Sequence, residues 1–270
     1  MPIIAMTKEM GSLGTFIALE VARRLDHEFL RNDIIKAVAR GYRVRETGVV
    51  LVLEARPRLW ERLGDRSRRY RLYLEAAVLD AALRERVVLM GRWSTLFLHG
   101  IGHAVRVRVC APVPVRARRV MTRYGIDETE AIRRLTTYDE GVRARMRQAF
   151  DRDWTDPLLY DLVINTEAVS LEAGVRQVLE LATAPEFQPT EATRARLRDR
   201  ALAARVRATL KATAATRGVD VDVSAAEGGI RLAGVVASET EREAAVAVAR
   251  AVSGVREVVS ETRVFPRPVR

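Results

Sequence analysis

Short apolar runs alternate with segments of helical periodicity along most of the chain, and this alternation restricts the fold more than any other feature. The runs are rich in valine, isoleucine and leucine, which is typical of interior strands in a mainly parallel sheet. We predict such strands at residues 2–7, 87–91, 104–112 and 161–165. The intervening segments predict helices at residues 16–25, 32–40, 54–86, 113–124 and 127–150, and another from about residue 170. This order predicts a layered α/β domain that ends near residue 184.

A glycine-containing turn at residues 8–14 separates the first predicted strand from the first predicted helix. Strand, glycine turn and helix in this order open a phosphate-binding βα unit, where backbone N–H groups and the positive end of a helix face an anion. Gly11, Ser12, Gly14 and Thr15 are the residues we expect to surround a phosphate. The full pattern G-x-x-x-x-G-K-[ST] is absent, because Thr15 occupies its lysine position and Phe16 its hydroxyl position. The turn is therefore either a nucleotide-binding loop or a simple connector.

The C-terminal third has a different organisation. Residues 183–191 contain two prolines and no periodicity, which is typical of a linker. A helix at about 192–213, two strands around the turn at 227–229, a helix opened by Ser238 and a last strand give the order αββαβ. We therefore predict a first domain at residues 1–184, a linker at 185–194 and a small α+β domain at 195–268.

The charge balance predicts anionic partners. Forty-six basic residues against 35 acidic ones give a formal net charge of +11, and almost all of the basic residues are arginines. Such a field attracts nucleotides, nucleic acid or acidic lipid head groups, and charge alone does not choose among them. The longest apolar runs are much shorter than the roughly 18 residues of a membrane span, and the first residues do not resemble a secretory signal. With Cys110 as its only cysteine, the chain is expected to reside in the reducing cytosol.

Several motifs in sequence order resemble those of the cytidylate kinase-like family. TKEMGSLGTFIALEVARRL at 7–25 resembles the glycine-rich start of that family, and VVLMGR at 87–92 resembles its strand that ends in glycine-arginine. CAPVPVRARRVM at 110–121 resembles its alanine-proline step into an arginine-bearing helix. DWTDPLLYDLVINTEAVSLEAGV at 153–175 resembles its closing region, with an aspartate-tryptophan pair before a strand and an asparagine-threonine end. The resemblance covers roughly residues 1–180 and implies a P-loop kinase-like, mainly parallel sheet flanked by helices.

The segment from about 195 to 266 is similar to BON domains. IRLAGVVASETEREAAVAVARAVSGVREV at 230–258 carries a glycine-centred strand, a helix and a glycine-valine lead into the last strand. The resemblance implies contact with phospholipid or another macromolecule. Together with the expected cytoplasmic location, this resemblance implies a peripheral association at the inner face of the membrane.

The kinase-like resemblance implies ATP-dependent phosphoryl transfer to CMP, dCMP or a related nucleotide, with Mg²⁺. In this interpretation Lys8, or an arginine of the lid, replaces the missing lysine, and Thr15 ligates the metal. The resemblance also implies that Arg92 and Asp33 contact the acceptor nucleotide.

Asp139, Arg143 and Arg147 resemble the lid of nucleoside monophosphate kinases, in which arginines neutralise the transferring phosphoryl group. Arg143 and Arg147 also have the i,i+4 spacing of a solvated or ion-paired helix face. The alternative function is a catalytically degenerate protein that senses nucleotide or is structural, and that binds phospholipid or an envelope partner through its C-terminal domain. Direct binding of nucleic acid is a third interpretation, which rests on the basic charge.

Overall fold

Five parallel strands form the main sheet of the computed structural model, which describes residues 1–54, 57–91 and 93–265. The strand order is β2-β3-β1-β4-β5. The strands are β1 (Ile3–Lys8), β2 (Glu28–Leu30), β3 (Val87–Met90), β4 (Ala104–Cys110) and β5 (Leu162–Asn165). The three central strands, β3, β1 and β4, are mainly apolar and are almost entirely buried. This confirms the predicted mainly parallel α/β architecture.

Helices cover both faces of this sheet. They are α1 (Gly14–Leu25), α2 (Asp33–Gly41), α3 (Glu46–Glu54), α4 (Pro57–Ala82), α5 (Ser94–Phe97), α6 (Val113–Tyr124), α7 (Glu128–Phe150) and α8 (Leu171–Thr183). Successive side chains of β1 point to opposite faces, so Ile4 and Met6 pack with α1 and α8. Ile3 and Ala5 belong to the core on the other face, to which α2, α3, α4 and α7 contribute.

The C-terminal unit contains a second, three-stranded sheet. Its elements are α9 (Glu191–Ala212), β6 (Val221–Ala226), β7 (Gly229–Val236), α10 (Glu239–Arg250) and β8 (Glu257–Val264). β6 pairs antiparallel with β7, and β7 pairs parallel with β8, so α10 is the crossover connection. Both α9 and α10 pack on one face of this sheet. The predicted order αββαβ is confirmed.

Helix α9 belongs to both units. One stripe of the helix, with Leu197, Ala201 and Ala204, is buried in the core of the parallel-sheet unit. A second stripe, with Leu202 and Val206, is buried in the C-terminal core. The two units are therefore joined by a shared helix, whose first turn lies inside the segment predicted as a linker. The domain limits at 184 and 195 stay a prediction.

Three elements of the parallel-sheet unit were not predicted from the sequence: β2, α3 and the single-turn helix α5. Between the helices predicted at 16–25 and 32–40 lies β2, a three-residue edge strand that is too short to show a periodicity. Helix α3 was also missed, because its run of valine and leucine lacks a polar face. Within the described parts of the chain, no helix combines the length and apolar character needed to span a membrane.

Candidate functional site

The turn between β1 and α1 requires glycine at two positions. Gly11 has φ +79°, and a Cβ atom there would lie 3.0 Å from the carbonyl oxygen of Arg116. A Cβ atom on Gly14 would lie only 2.7 Å from the Cβ of Lys8, closer than real Cβ contacts come. Between them, Leu13 adopts the left-handed conformation with φ 64°, which costs free energy for a residue other than glycine. The chain is therefore forced into a tight loop directly before the helix.

The donors of this loop divide into two groups. Ser12 donates from its N–H and its hydroxyl to the carbonyl oxygen of Glu9, at 3.2 and 2.9 Å. The backbone N–H groups of Leu13, Gly14 and Thr15 have no acceptor among the described residues. All three residues line the same cavity, and the first N–H groups of a helix carry the positive end of its dipole. This geometry suits an anion at the start of α1.

The cavity has a volume of about 1350 Å³ and extends from the loop to α2, α3, α4 and α7. Among its described lining residues, one carboxylate, Glu54, stands against eight basic side chains. These are Lys8, Arg31, Arg118, Arg119, Arg123, Arg133, Arg134 and Arg145. The far half is walled by apolar side chains such as Ile34, Leu74 and Trp93. A cationic mouth and an apolar interior suit a ligand that carries both negative charge and a ring.

A buried ionic network connects the loop to the elements packed against it. The Glu9 carboxylate accepts hydrogen bonds from Arg108 at 2.6 Å and from the N–H of Ala111 at 3.1 Å. Arg116, which is 3% exposed, lies 3.4 Å from Glu9 and donates two hydrogen bonds to Asp139 at 2.7 and 3.2 Å. The network fixes the loop against β4, α6 and α7.

Helices α6 and α7 supply most of the basic groups. Arg119 donates to the carbonyl oxygen of Gly11 at 3.3 Å, so its guanidinium lies directly beside the loop. Arg133 and Arg134 both donate to Glu130 at 2.6 Å, and these hydrogen bonds lower the pKa of Glu130 to about 2. Because Glu130 is charged at neutral pH, it partly offsets the positive charge of α7 at the cavity.

Four of the predicted site residues come together in the structure. Lys8, Gly11, Gly14 and Thr15 line one wall of the large cavity. Ser12 lies beside them but is fully buried, with both donors used inside the loop.

The other predicted site residues lie elsewhere. Asp139 is engaged with Arg116, and Arg143 and Arg147 are exposed on α7 outside the cavity lining, with Arg147 4.0 Å from Asp153. Asp33 lines a second cavity, of about 660 Å³, between α2, α4, α9 and α10. Arg92 lies outside the described residues.

The sequence analysis missed most of the arginines that line the cavity. On α7 the cavity-facing stripe is Arg134, Tyr138, Gly141 and Arg145, which have helical i,i+4,i+7,i+11 spacing. On α6, Arg119 and Arg123 have i,i+4 spacing. The spacing was visible in the sequence, but which stripe faces the loop depends on tertiary packing.

Comparisons with known proteins agree with this architecture. The family model described as "Cytidylate kinase-like family" matches residues 3–168, and the BON domain model matches residues 198–266. The chain is 33% identical over 116 residues to a cytidylate kinase of Methanopyrus kandleri, covering 37% of this chain and 60% of that protein. It is 27% identical over 176 residues to a cytidylate kinase of Pyrobaculum arsenaticum, covering 65% and 90%. The chain thus spans about three fifths of the length of the first of these relatives.

A solved structure with a similar fold is that of an uncharacterized protein from Eubacterium ventriosum. Its TM-score is 0.53 at 17% sequence identity, and the match covers 68% of this chain and 99% of that one. At this identity the likeness shows a shared fold.

Proposed function

The chain belongs to the cytidylate kinase-like family, and on that premise we propose that it transfers a phosphoryl group from ATP to CMP, dCMP or a related nucleotide. The observation that carries the proposal is the meeting of the basic cavity lining with three loop N–H groups for which the described parts of the chain offer no acceptor. Phosphoryl transfer requires little covalent chemistry from the protein, and depends on positioning and on neutralising the phosphate charges. The apolar half of the cavity is the place we propose for the acceptor base.

The proposed roles follow from position. Lys8, with Arg119 and Arg123, replaces the charge of the missing lysine, and the loop from Gly11 to Thr15 holds the donor phosphates through its backbone. Ser12 supports the loop from inside. Asp139 acts indirectly, because it holds Arg116. Arg92, Asp33, Arg143 and Arg147 remain predicted contacts, each of which single substitution to alanine would test.

The oxygen atoms of the protein near the loop could supply only a small part of the coordination shell of Mg²⁺, which suits the way such sites hold the ion. Mg²⁺ in phosphoryl-transfer sites keeps several waters and is bound mostly through substrate phosphates, with one or two protein ligands. The Thr15 hydroxyl at the cavity wall is the protein ligand we propose. When bound, the ion neutralises negative charge on the phosphate oxygens.

A second candidate is a protein that binds nucleotide without catalysis. Its support is local: Thr15 replaces the phosphate-binding lysine, and Phe16, which is 54% exposed, replaces the metal-binding hydroxyl. Such a protein would act as a sensor or as a structural partner.

One experiment separates the two candidates. The full chain is incubated with ATP, Mg²⁺ and CMP, dCMP or another nucleoside monophosphate, and the products are quantified by chromatography beside calorimetric titrations with ATP and CMP. A kinase forms ADP and the nucleoside diphosphate, whereas a sensor binds without turnover. The absence of both binding and turnover would reject both candidates.

For the BON domain we propose docking to anionic phospholipid or to an envelope partner from the cytoplasmic side. Support comes from the solvent-facing surface of its sheet, where Val235, Val259 and Phe265 are exposed between charged residues. Flotation with anionic and with neutral vesicles at increasing salt tests binding to phospholipid, because electrostatic adsorption weakens as salt screens it. Filter binding with single-stranded RNA under the same salt series tests the third interpretation, nucleic-acid binding.

A further inference from the structure

Thr166, directly after β5, is hydrogen-bonded to the loop and is not among the residues that line the cavity. Its side chain is buried, and its hydroxyl donates to the carbonyl oxygen of Ser12 at 2.9 Å. Arg119 donates to the same hydroxyl at 2.9 Å and to the Thr166 carbonyl oxygen at 2.7 Å. The hydroxyl is thus both acceptor and donor in a chain from Arg119 to the loop.

The donor and acceptor in each of these hydrogen bonds follow from the chemistry of the two side chains. A guanidinium only donates, so the hydroxyl proton of Thr166 must point to another acceptor. Two carbonyl oxygens are in reach, that of Ser12 at 2.9 Å and that of Cys110 at 3.3 Å, and the shorter contact is with Ser12. Arg119 therefore orients the Thr166 hydroxyl toward the loop.

This bond determines where the loop N–H points. In a trans peptide, the C=O of one residue and the N–H of the next point in opposite directions. Because Thr166 holds the Ser12 carbonyl toward the protein interior, the N–H of Leu13 in the same peptide unit is turned away from it, toward the cavity that Leu13 lines. The same peptide leads into Leu13, whose left-handed conformation costs free energy for a residue other than glycine, so the bond to Thr166 favours that conformation.

We propose that Thr166 is a positioning residue, whose hydroxyl keeps the Ser12–Leu13 peptide turned so that the loop presents its N–H groups to a di- or triphosphate. The inference rests on the proposed function for its ligand, since it assumes that the loop binds phosphate. It gives a reason for the threonine directly after β5, which has no role of its own in the proposed reaction. Thr166 acts through the loop and does not touch the ligand.

The test compares four full-length chains: wild type, Thr166→Val, Thr166→Ser and Leu13→Gly/Thr166→Val. Valine keeps the shape and removes the hydroxyl, and serine keeps the hydroxyl. Pyrophosphate and ATP affinities are measured by calorimetry, folding by thermal melting, and the loop by the amide NMR signals of Gly11 and Gly14. We expect Thr166→Val to bind both ligands about ten-fold more weakly, the loss typical of one hydrogen bond, and Thr166→Ser to bind like wild type.

The double variant separates positioning from general stability. Glycine adopts the left-handed conformation without strain, so Leu13→Gly should restore most of the pyrophosphate affinity that Thr166→Val loses. A Thr166→Val chain that melts like wild type and binds pyrophosphate equally well would overturn the inference, as would a double variant no better than Thr166→Val. If Thr166→Val does not fold, the double variant decides: it should fold and have most of the wild-type affinity for pyrophosphate, and a double variant without that affinity would overturn the inference.

Failure of the kinase proposal gives a different result. Wild type that binds pyrophosphate but converts no nucleoside monophosphate would reject the proposed reaction and leave the role of Thr166 intact. If Thr166→Val phosphorylates CMP as fast as wild type and with the same KM for ATP, the role of Thr166 is rejected and the proposed reaction stands.

Discussion

The Arg116 guanidinium and the Asp139 carboxylate face each other through two hydrogen bonds, which join α6 to α7 below the loop. Arg116 has almost no contact with solvent, and the side chain of Asp139 is 22% exposed. Removing one partner of such a pair leaves a buried charge without compensation. The pair therefore determines the position of the helices that carry the cavity arginines.

We expect Asp139→Ala to lower the free energy of unfolding by about 3 kcal/mol, because Arg116 loses its nearest carboxylate. Arg116 then keeps a longer contact with Glu9 and hydrogen bonds to the carbonyl oxygens of Ala111 and Met10. Urea denaturation followed by tryptophan fluorescence measures the loss. Arg143→Ala, an exposed position on the same helix, is the control and should change stability by less than about 0.5 kcal/mol. Equal stability of Asp139→Ala and wild type would contradict the role of the pair.

The Gly14 position should not accept even one extra carbon. A Cβ atom there would meet Lys8 at 2.7 Å and Val109 at 3.0 Å, so β1 or α1 must shift. We expect Gly14→Ala to cost about 1–3 kcal/mol of stability, the range typical of overpacking, and to weaken ATP binding at the loop. The matched control is Gly218→Ala, where nothing lies within 4 Å and φ is not positive. Denaturation and calorimetry on both variants check the prediction, and similar values for the two would count against it.

The sequence predicted those features that depend on local chemistry. The start of α7 is an example, since the helix predicted at 127–150 begins where the Asp127 side chain accepts the N–H of Glu130 at 2.8 Å. The glycine turn and the buried central strands were equally visible. In contrast, the ionic partners of Asp139, the hydroxyl of Thr166 and the cavity stripe of α7 depend on contacts between residues far apart in the chain. For that reason Arg143 and Arg147 were predicted from a resemblance to the lid of nucleoside monophosphate kinases, whereas Arg134 and Arg145 line the cavity.

Asp80, at the second cavity, gives a prediction on pH. Burial raises the pKa of Asp80 above its ordinary value of 3.8, although Arg205, at 3.4 Å, lowers it in part. A carboxyl whose pKa is higher in the folded state binds its proton more tightly there, so stability falls as pH rises from about 3.8 through the folded pKa.

We therefore expect Asp80→Asn to be more stable than wild type at neutral pH, and this gain to vanish at pH values below 3.8, where Asp80 is protonated in both states. Thermal melting across this range measures it. A matched control is Asp161→Asn, whose carboxylate accepts three hydrogen bonds from Arg106 and should lose stability at neutral pH. If Asp80→Asn were less stable than wild type at neutral pH, its attraction to Arg205 would outweigh the cost of burial.

Three positions separate this loop from the pattern G-x-x-x-x-G-K-[ST]: Glu9 at the first glycine, Thr15 at the lysine and Phe16 at the hydroxyl. The substitutions at Thr15 and Phe16 should be reversible. Thr15→Lys places an ammonium beside the three loop N–H groups, and Phe16→Ser supplies the hydroxyl that ligates Mg²⁺ in such loops. The Phe16 ring is half exposed, so its removal costs little packing. If the cavity binds ATP as proposed, the double variant should bind it about ten-fold more tightly in calorimetry, the effect of one added charge-assisted contact, with the gain dependent on Mg²⁺. Leu19→Ser, one turn further along α1 and also at the cavity, is the control for loss of an apolar side chain. An unchanged ATP affinity would mean that the loop does not hold the polyphosphate, because an added ammonium at its centre must strengthen any such contact.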